Sequence, residues 1–156
     1  MYTPEQLARR KASIWTPVVT VFAILQFMAF IVSFCLVIRF LSTGQGYTLA
    51  TISVWVKIAM LWGITLSGML WEKDIYGHYF MCREFFWEDM GNLIAMLTHN
   101  AYFIVQWMGF DQKNVMLVML FAYITYLFNF GQFMLKWYRS YKQRQQCASI
   151  ESGLSN

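Results

Sequence analysis

Four long apolar runs set the limits on this chain. They cover about residues 18–41, 49–70, 85–108 and 115–137. Each is long enough to cross the ~30 Å hydrocarbon core of a bilayer as a helix, which takes roughly 20 apolar residues. Together they fill over half of a 156-residue sequence, so one compact unit is expected, with no room for a second enzyme domain. Composition agrees: 58% of residues are hydrophobic and 13% charged, where a soluble domain carries about 25% charged residues. A disordered chain, a nucleic-acid arm and a water-soluble globule are excluded. The expected fold is all-α, an integral membrane four-helix bundle over residues 1–142. A polar tail at 143–156 is expected to be disordered.

The short joints Thr43-Gly44-Gln45-Gly46 and Gly109-Phe110-Asp111 predict antiparallel neighbours. The middle connection is longer and holds Glu72, Lys73, Asp74, His78, Arg83 and Glu84, read as a solvated loop. The net charge of +4 has a location. Arg9, Arg10 and Lys11 precede the first run, and Lys136, Arg139, Lys142 and Arg144 follow the last. That placement points to anchoring at an anionic leaflet, not to nucleic acid. Counting Lys and Arg near the helix ends puts both termini and the middle loop in the cytoplasm. The first run is too long for a signal-peptide core and lacks a small-residue cleavage site, so it is expected to be retained. Cys35, Cys82 and Cys147 show neither a disulfide framework nor metal-ligand spacing.

Polar groups inside the runs are costly in lipid and therefore informative. In the third run, Glu88, Asn92, His99, Tyr102 and Gln106 fall on one helical stripe, with Asp89 turned about 100° from Glu88. Glu88 and His99 are separated by about 16 Å of rise and cannot touch. In the fourth run, Thr125, Asn129, Gln132 and Lys136 align at spacings of four, three and four. Gln26 and Ser33 align in the first run, and Lys57 interrupts the second. By depth these stripes coincide mostly in the cytoplasmic half, which predicts an interhelical pocket framed by aromatics such as Tyr126 and Trp87. Plainer roles exist for several of them. Gln26, Asn129 and Gln132 also suit interhelical glue, Lys136 suits snorkelling, and Trp71, Trp87, Trp107 and Trp137 suit an interfacial belt. Glu88 and Asp89 suit a helix N-terminus, where the dipole favours anions.

No phosphate loop, nucleophile elbow or metal cluster is present. Carboxyls, a histidine, amides, tyrosines and a 19% aromatic content suit acid–base chemistry on a flat, lipophilic substrate. A carboxyl group at an apolar boundary holds its proton more tightly than one in water. A mid-membrane imidazole is alternatively an axial ligand to a tetrapyrrole metal. A non-enzymatic pigment- or quinone-binding membrane subunit explains the histidine, aromatics and amides equally well, and a purely structural assembly factor is a third reading.

Several ordered segments carry a resemblance. They are MYTPEQLARR at 1–10, WEK at 71–73, FFWED at 85–89, His99 with Ala101-Tyr102, and AYxTYxxNxxQFxLK at 122–136. With these the chain resembles the vinyl bacteriochlorophyllide hydratase family over about residues 1–136. The resemblance implies a bacterial inner (cytoplasmic) membrane, multi-pass enzyme of bacteriochlorophyll biosynthesis. Its reaction adds water across the 3-vinyl group of a chlorophyllide-type tetrapyrrole, giving a 3-(1-hydroxyethyl) group. No cofactor is implied: water is the co-substrate, and magnesium enters only as part of the pigment. Glu88 or Asp89 is then expected as the acid, with Glu72 as carboxyl partner. Asn92, Asn129 and Gln132 would hold the water or a ring carbonyl. His99 would ligate the pigment magnesium or bond a ring substituent. Gln26, Lys57, Tyr102, Tyr126 and Trp87 complete the expected substrate contacts. The bilayer is a further partner. A homo-oligomer, contacts with other pathway enzymes, and the choice between the bacteriochlorophyll a and the c, d and e routes stay open.

Overall fold

The computed structural model describes residues 4–154, without the side chains of Pro4, Leu7, Gln143, Arg144 and 146–154. The first three residues of the MYTPEQLARR segment and the Arg144 and Cys147 side chains therefore lie outside the described residues. Five helices follow one another: α1 (Pro4–Ala12), α2 (Trp15–Thr43), α3 (Tyr47–Tyr76), α4 (Phe86–Trp107) and α5 (Gln112–Leu154). No strand occurs among the described residues.

Glycines punctuate the long helices. Gly44 closes α2 at φ 70°, its N–H donating to the Phe40 carbonyl at 2.8 Å. Gly77 closes α3 at φ 82°, donating to the Lys73 carbonyl at 2.9 Å. Left-handed backbone of this kind favours a residue without a Cβ. The short joint makes α2 and α3 one antiparallel hairpin, and α4 and α5 make a second. Each hairpin packs tightly along its length. The two hairpins meet over less surface, mainly through α2 and α5, with a lighter contact between α3 and α4.

The half of the bundle near the two short joints is closed. There Phe30, Val37, Val54, Ile58, Met119 and Tyr123 form one apolar core. Within it, Ser33 Oγ lies 2.5 Å from Tyr123 Oη and 2.9 Å from Ser53 Oγ, so one hydroxyl cluster ties α2, α3 and α5. The outward faces are also apolar, with Ile24, Met28, Trp55, Leu66, Phe121 and Phe128 exposed. Helices apolar on all sides belong in lipid.

Three stretches are long and apolar enough to cross a membrane: Trp15–Thr43, Tyr47–Tyr76 and Gln112–Lys142. α4 has the length, at 22 residues, but Glu88, Asp89, Asn92, His99, Asn100 and Gln106 lower its apolarity. Four similar spans thus become three apolar helices and one helix with a strongly polar face. Two boundaries also move. α3 runs through Trp71-Glu72-Lys73-Asp74 to Tyr76, because nothing breaks the helix before Gly77. The middle connection is therefore residues 77–85, and Glu72 belongs to a helix, not to a solvated loop. α5 continues to Leu154 where no regular structure was expected; Lys142 to Gln146 are good helix formers and no proline interrupts them. The short basic helix α1, which packs on α3, was not anticipated.

Candidate active site

A cavity of about 570 Å³ opens between the hairpins where α1, the 77–85 connection and the later part of α5 meet. Its volume is in the range that holds small molecules and cofactors. Along α3 it is lined from Tyr76 to Leu61, and along α5 from Tyr141 to Tyr126. Fifteen residues on each helix amount to about 22 Å of depth. The wall is mostly apolar and aromatic, with Trp71, Phe80, Phe85, Phe130, Phe133 and Trp137. Its polar groups include Gln26, Thr65, Glu72, Asp89, Asn92 and Asn129.

Glu72 from α3 and Asp89 from the first turn of α4 are both buried, at 5% and 4% exposure. Their side chains face each other, and Glu72 also lies near Cys82. Two carboxyl groups this close favour a state that shares one proton. The Met81 N–H donates to Asp89 Oδ2 at 2.8 Å, which favours the negative charge on Asp89. Met81 adopts φ 55°, a left-handed backbone uncommon for a residue with a side chain. That turn aims its N–H at the carboxylate. Burial pushes the Cys82 thiol up to about 12, so it faces Glu72 as a neutral S–H.

The polar stripe of α5 faces α4 along its length. Thr125 Oγ1 meets Thr98 Oγ1 at 2.8 Å. Asn129 Nδ2 donates to the Glu88 carbonyl at 2.8 Å, and Gln132 Nε2 to the Trp87 carbonyl at 3.2 Å. Lys136 Nζ pairs with Glu88 Oε2 at 3.1 Å, bonds the Glu84 carbonyl and sits 3.5 Å from the Phe85 ring centre. Gly91 makes this approach possible. A Cβ there would collide with the Gln132 and Asn129 amides. On the other side, Asn92 Nδ2 donates to Thr65 Oγ1 at 3.1 Å, joining α4 to α3.

The family model for 2-vinyl bacteriochlorophyllide hydratase (BCHF) matches residues 2–139. The chain belongs to this family. Two curated relatives carry the name 2-vinyl bacteriochlorophyllide hydratase. The one from Rhodobacter capsulatus is 42% identical over 153 residues, covering 98% of this chain and 88% of the relative. The one from Cereibacter sphaeroides is 41% identical over 136 residues, covering 87% and 85%. No solved structure matches the chain. Both carboxyls and every amide of the cavity wall fall inside the stretch matched by the hydratase family.

The structure sorts the expected site residues into three groups. Glu72, Asp89, Asn92, Asn129, Tyr126 and Gln26 line the cavity. Glu88, Gln132 and Trp87 stand beside it: Glu88 is engaged by Lys136, Gln132 by the Trp87 backbone, and the Trp87 ring is 72% exposed on the outer surface. Lys57, His99 and Tyr102 are fully buried beyond the cavity floor. His99 Nδ1 lies 2.7 Å from the Ala95 carbonyl, with its ring against Tyr123 and Tyr126, so the imidazole is one layer behind the wall. Among the described residues no group of three or more His, Cys, Asp or Glu is placed to hold a metal ion. Sequence reasoning passed over Thr65, Cys82, Phe85 and Gly91. It also assigned Trp71 to the interfacial belt, whereas its Nε1 donates to Thr16 Oγ1 at 3.1 Å and its ring lines the cavity. A glycine set within the polar stripe of α4, and a tryptophan preceding a buried glutamate, were the available signals.

Proposed function

We propose that the chain is a hydratase that adds water across the ring vinyl group of a bacteriochlorophyllide, giving a 1-hydroxyethyl group. The vinyl position is numbered 2 in the relatives' name and 3 in the tetrapyrrole numbering used above. The buried Glu72 and Asp89 pair, set in the wall of a deep aromatic cavity, is the observation that carries the chemistry. Addition of water needs a proton on the terminal vinyl carbon. Glu72 supplies it, and its O–H bond breaks as the new C–H bond forms. The positive charge left on the inner carbon is delocalised into the macrocycle. Water then attacks that carbon and loses a proton to the carboxylate pair, which restores the starting state. The Asp89 carboxylate, fixed by the Met81 N–H, steadies the developing charge. Asn92 and Asn129, which line the cavity, orient the water or a ring carbonyl in this reading. The aromatic wall gives the flat pigment its contact surface.

In this reading α4 is the fourth crossing, its polar face turned to the protein interior, in a bundle of the bacterial inner membrane. Both termini and the 77–85 connection face the cytoplasm, as the basic residues at those ends favour. The cavity mouth then opens to the cytoplasmic side.

Incubation of membranes containing the protein with a vinyl bacteriochlorophyllide, followed by mass analysis, tests the function. Gain of one water by the pigment is expected. A pigment held tightly but unchanged identifies a carrier and overturns the proposal.

A further inference from the structure

Around the cavity floor lie three buried polar side chains with atoms that lack hydrogen-bond partners. They are both amide atoms of Gln26, Nζ of Lys57 and Nε2 of His99. Gln26 is 1% exposed, and Lys57 and His99 are 0% exposed. Tyr126 connects them. Its ring lines the cavity beside Gln26, Lys57 Nζ sits 3.7 Å from the ring centre, and the His99 ring is 6.4 Å away.

Lys57 makes no ion pair, and the nearest carboxyls along the packed helices are remote. Asp89 is ten residues from His99 on α4, about 15 Å, and Glu72 is fifteen residues from Lys57 on α3, about 22 Å. A lysine at mid-bundle with only a ring face for company costs several kcal/mol unless a counter-charge arrives. Such residues mark ligand sites in membrane helices. No described carboxyl supplies that counter-charge, so the floor suits an anionic group on a ligand.

The histidine fixes the polarity of the site. With Nδ1 against the Ala95 carbonyl, Nδ1 is the donor and Nε2 of the neutral ring is an acceptor. Nε2 is thus an unpartnered acceptor and would not itself contact an anion. The Gln26 amide N–H2 is the second donor.

We infer that this floor recognises the carboxylate of the pigment, the free acid arm that distinguishes a chlorophyllide from its ester. The inference rests on the hydratase reading. Lys57 and Gln26 contact the carboxylate once the Tyr126 ring turns aside and the flexible lysine stem swings into the cavity. Along α4 the floor at His99 is ten residues, about 15 Å, from Asp89. Anchoring the acid arm there holds the vinyl-bearing ring, which adjoins the ring that carries the arm, toward the Glu72 and Asp89 pair. The device thus selects the free acid and sets which edge of the ring meets the proton donor.

The test compares kcat/KM for a vinyl bacteriochlorophyllide and for its methyl ester, using the full-length protein in membranes. The wild type is expected to favour the acid. Lys57→Met is expected to lower the acid-to-ester ratio at least about tenfold, and Lys57→Arg to restore part of it. Misfolding lowers both values together and leaves the ratio alone. A Lys57→Met ratio within about twofold of wild type overturns the inference while the hydratase reading stands. A wild type that hydrates neither pigment overturns both.

Discussion

Gly91→Ala separates two physical demands on the same position. Helix propensity alone favours alanine over glycine in a helix interior by about 1 kcal/mol. The packing predicts the opposite sign. An added methyl would lie 2.7 Å from Asn129 Nδ2 and closer still to Gln132 Oε1. Gln132 is half-buried and can swing outward, giving up its bond to the Trp87 carbonyl. Asn129 is 5% exposed and has less freedom, so its bond to the Glu88 carbonyl is strained or lost. Interhelical hydrogen bonds in membrane proteins are worth about 0.6 kcal/mol each, up to about 1.7. An amide left buried without a partner costs a further 1–3 kcal/mol or so. Set against the propensity gain, the net destabilisation comes to about 1–2 kcal/mol. Reversible unfolding of the solubilised protein with a denaturing detergent, followed by tryptophan fluorescence, reads this out. Adding Asn129→Ala and Gln132→Ala in the Gly91→Ala background is expected to recover most of the loss, because the methyl then has space; the coupling is measured as a mutant cycle. A Gly91→Ala protein as stable as wild type, or more so, refutes the view that this glycine exists to admit the α5 amides.

Other consequences are more local. Tyr123→Phe removes the hydroxyl that reaches Ser33 and is expected to destabilise the bundle by about 0.6–1.7 kcal/mol in the same unfolding assay, with little change in hydration rate. Lys136→Met breaks a partly exposed pair with Glu88 and the contact to the Glu84 carbonyl, so a loss of about 1 kcal/mol is expected after screening, with faster amide exchange across residues 82–88. With its thiol raised from 9.0 to about 12, Cys82 has a thiolate fraction near pH 8 that falls from about one in eleven to about one in ten thousand. Alkylation of Cys82 in the folded protein is therefore expected to be slower than in the unfolded chain by two to three orders of magnitude.

Much of the scaffold was readable in advance because single-helix periodicity determines it. The aligned Thr125, Asn129, Gln132 and Lys136 form one face, and that face does meet α4. The glycines of the 43–46 joint close one helix and open the next. The Glu72 and Asp89 contact was not readable from spacing. It depends on α3 continuing past three charged residues to Gly77 and on the left-handed turn at Met81, which carries no glycine to announce it. Helical wheels also give a face without a layer. Glu88 and His99 share a stripe with Asn92, yet Glu88 is drawn off by Lys136 from α5, and His99 is covered by Tyr126. Trp87 faced the pocket in the sequence reading and faces outward in the fold, because its neighbour Asp89 takes the inward direction at that turn.

The most direct measurement is the hydration rate of Glu72→Gln at saturating vinyl pigment, with Glu88→Gln assayed beside it. If a proton held by the Glu72 and Asp89 pair starts the reaction, Glu72→Gln loses at least about 100-fold in kcat, while Glu88→Gln, whose carboxylate only pairs with Lys136, stays within a few-fold of wild type. Near-normal turnover by Glu72→Gln, or a large loss confined to Glu88→Gln, contradicts that origin of the proton.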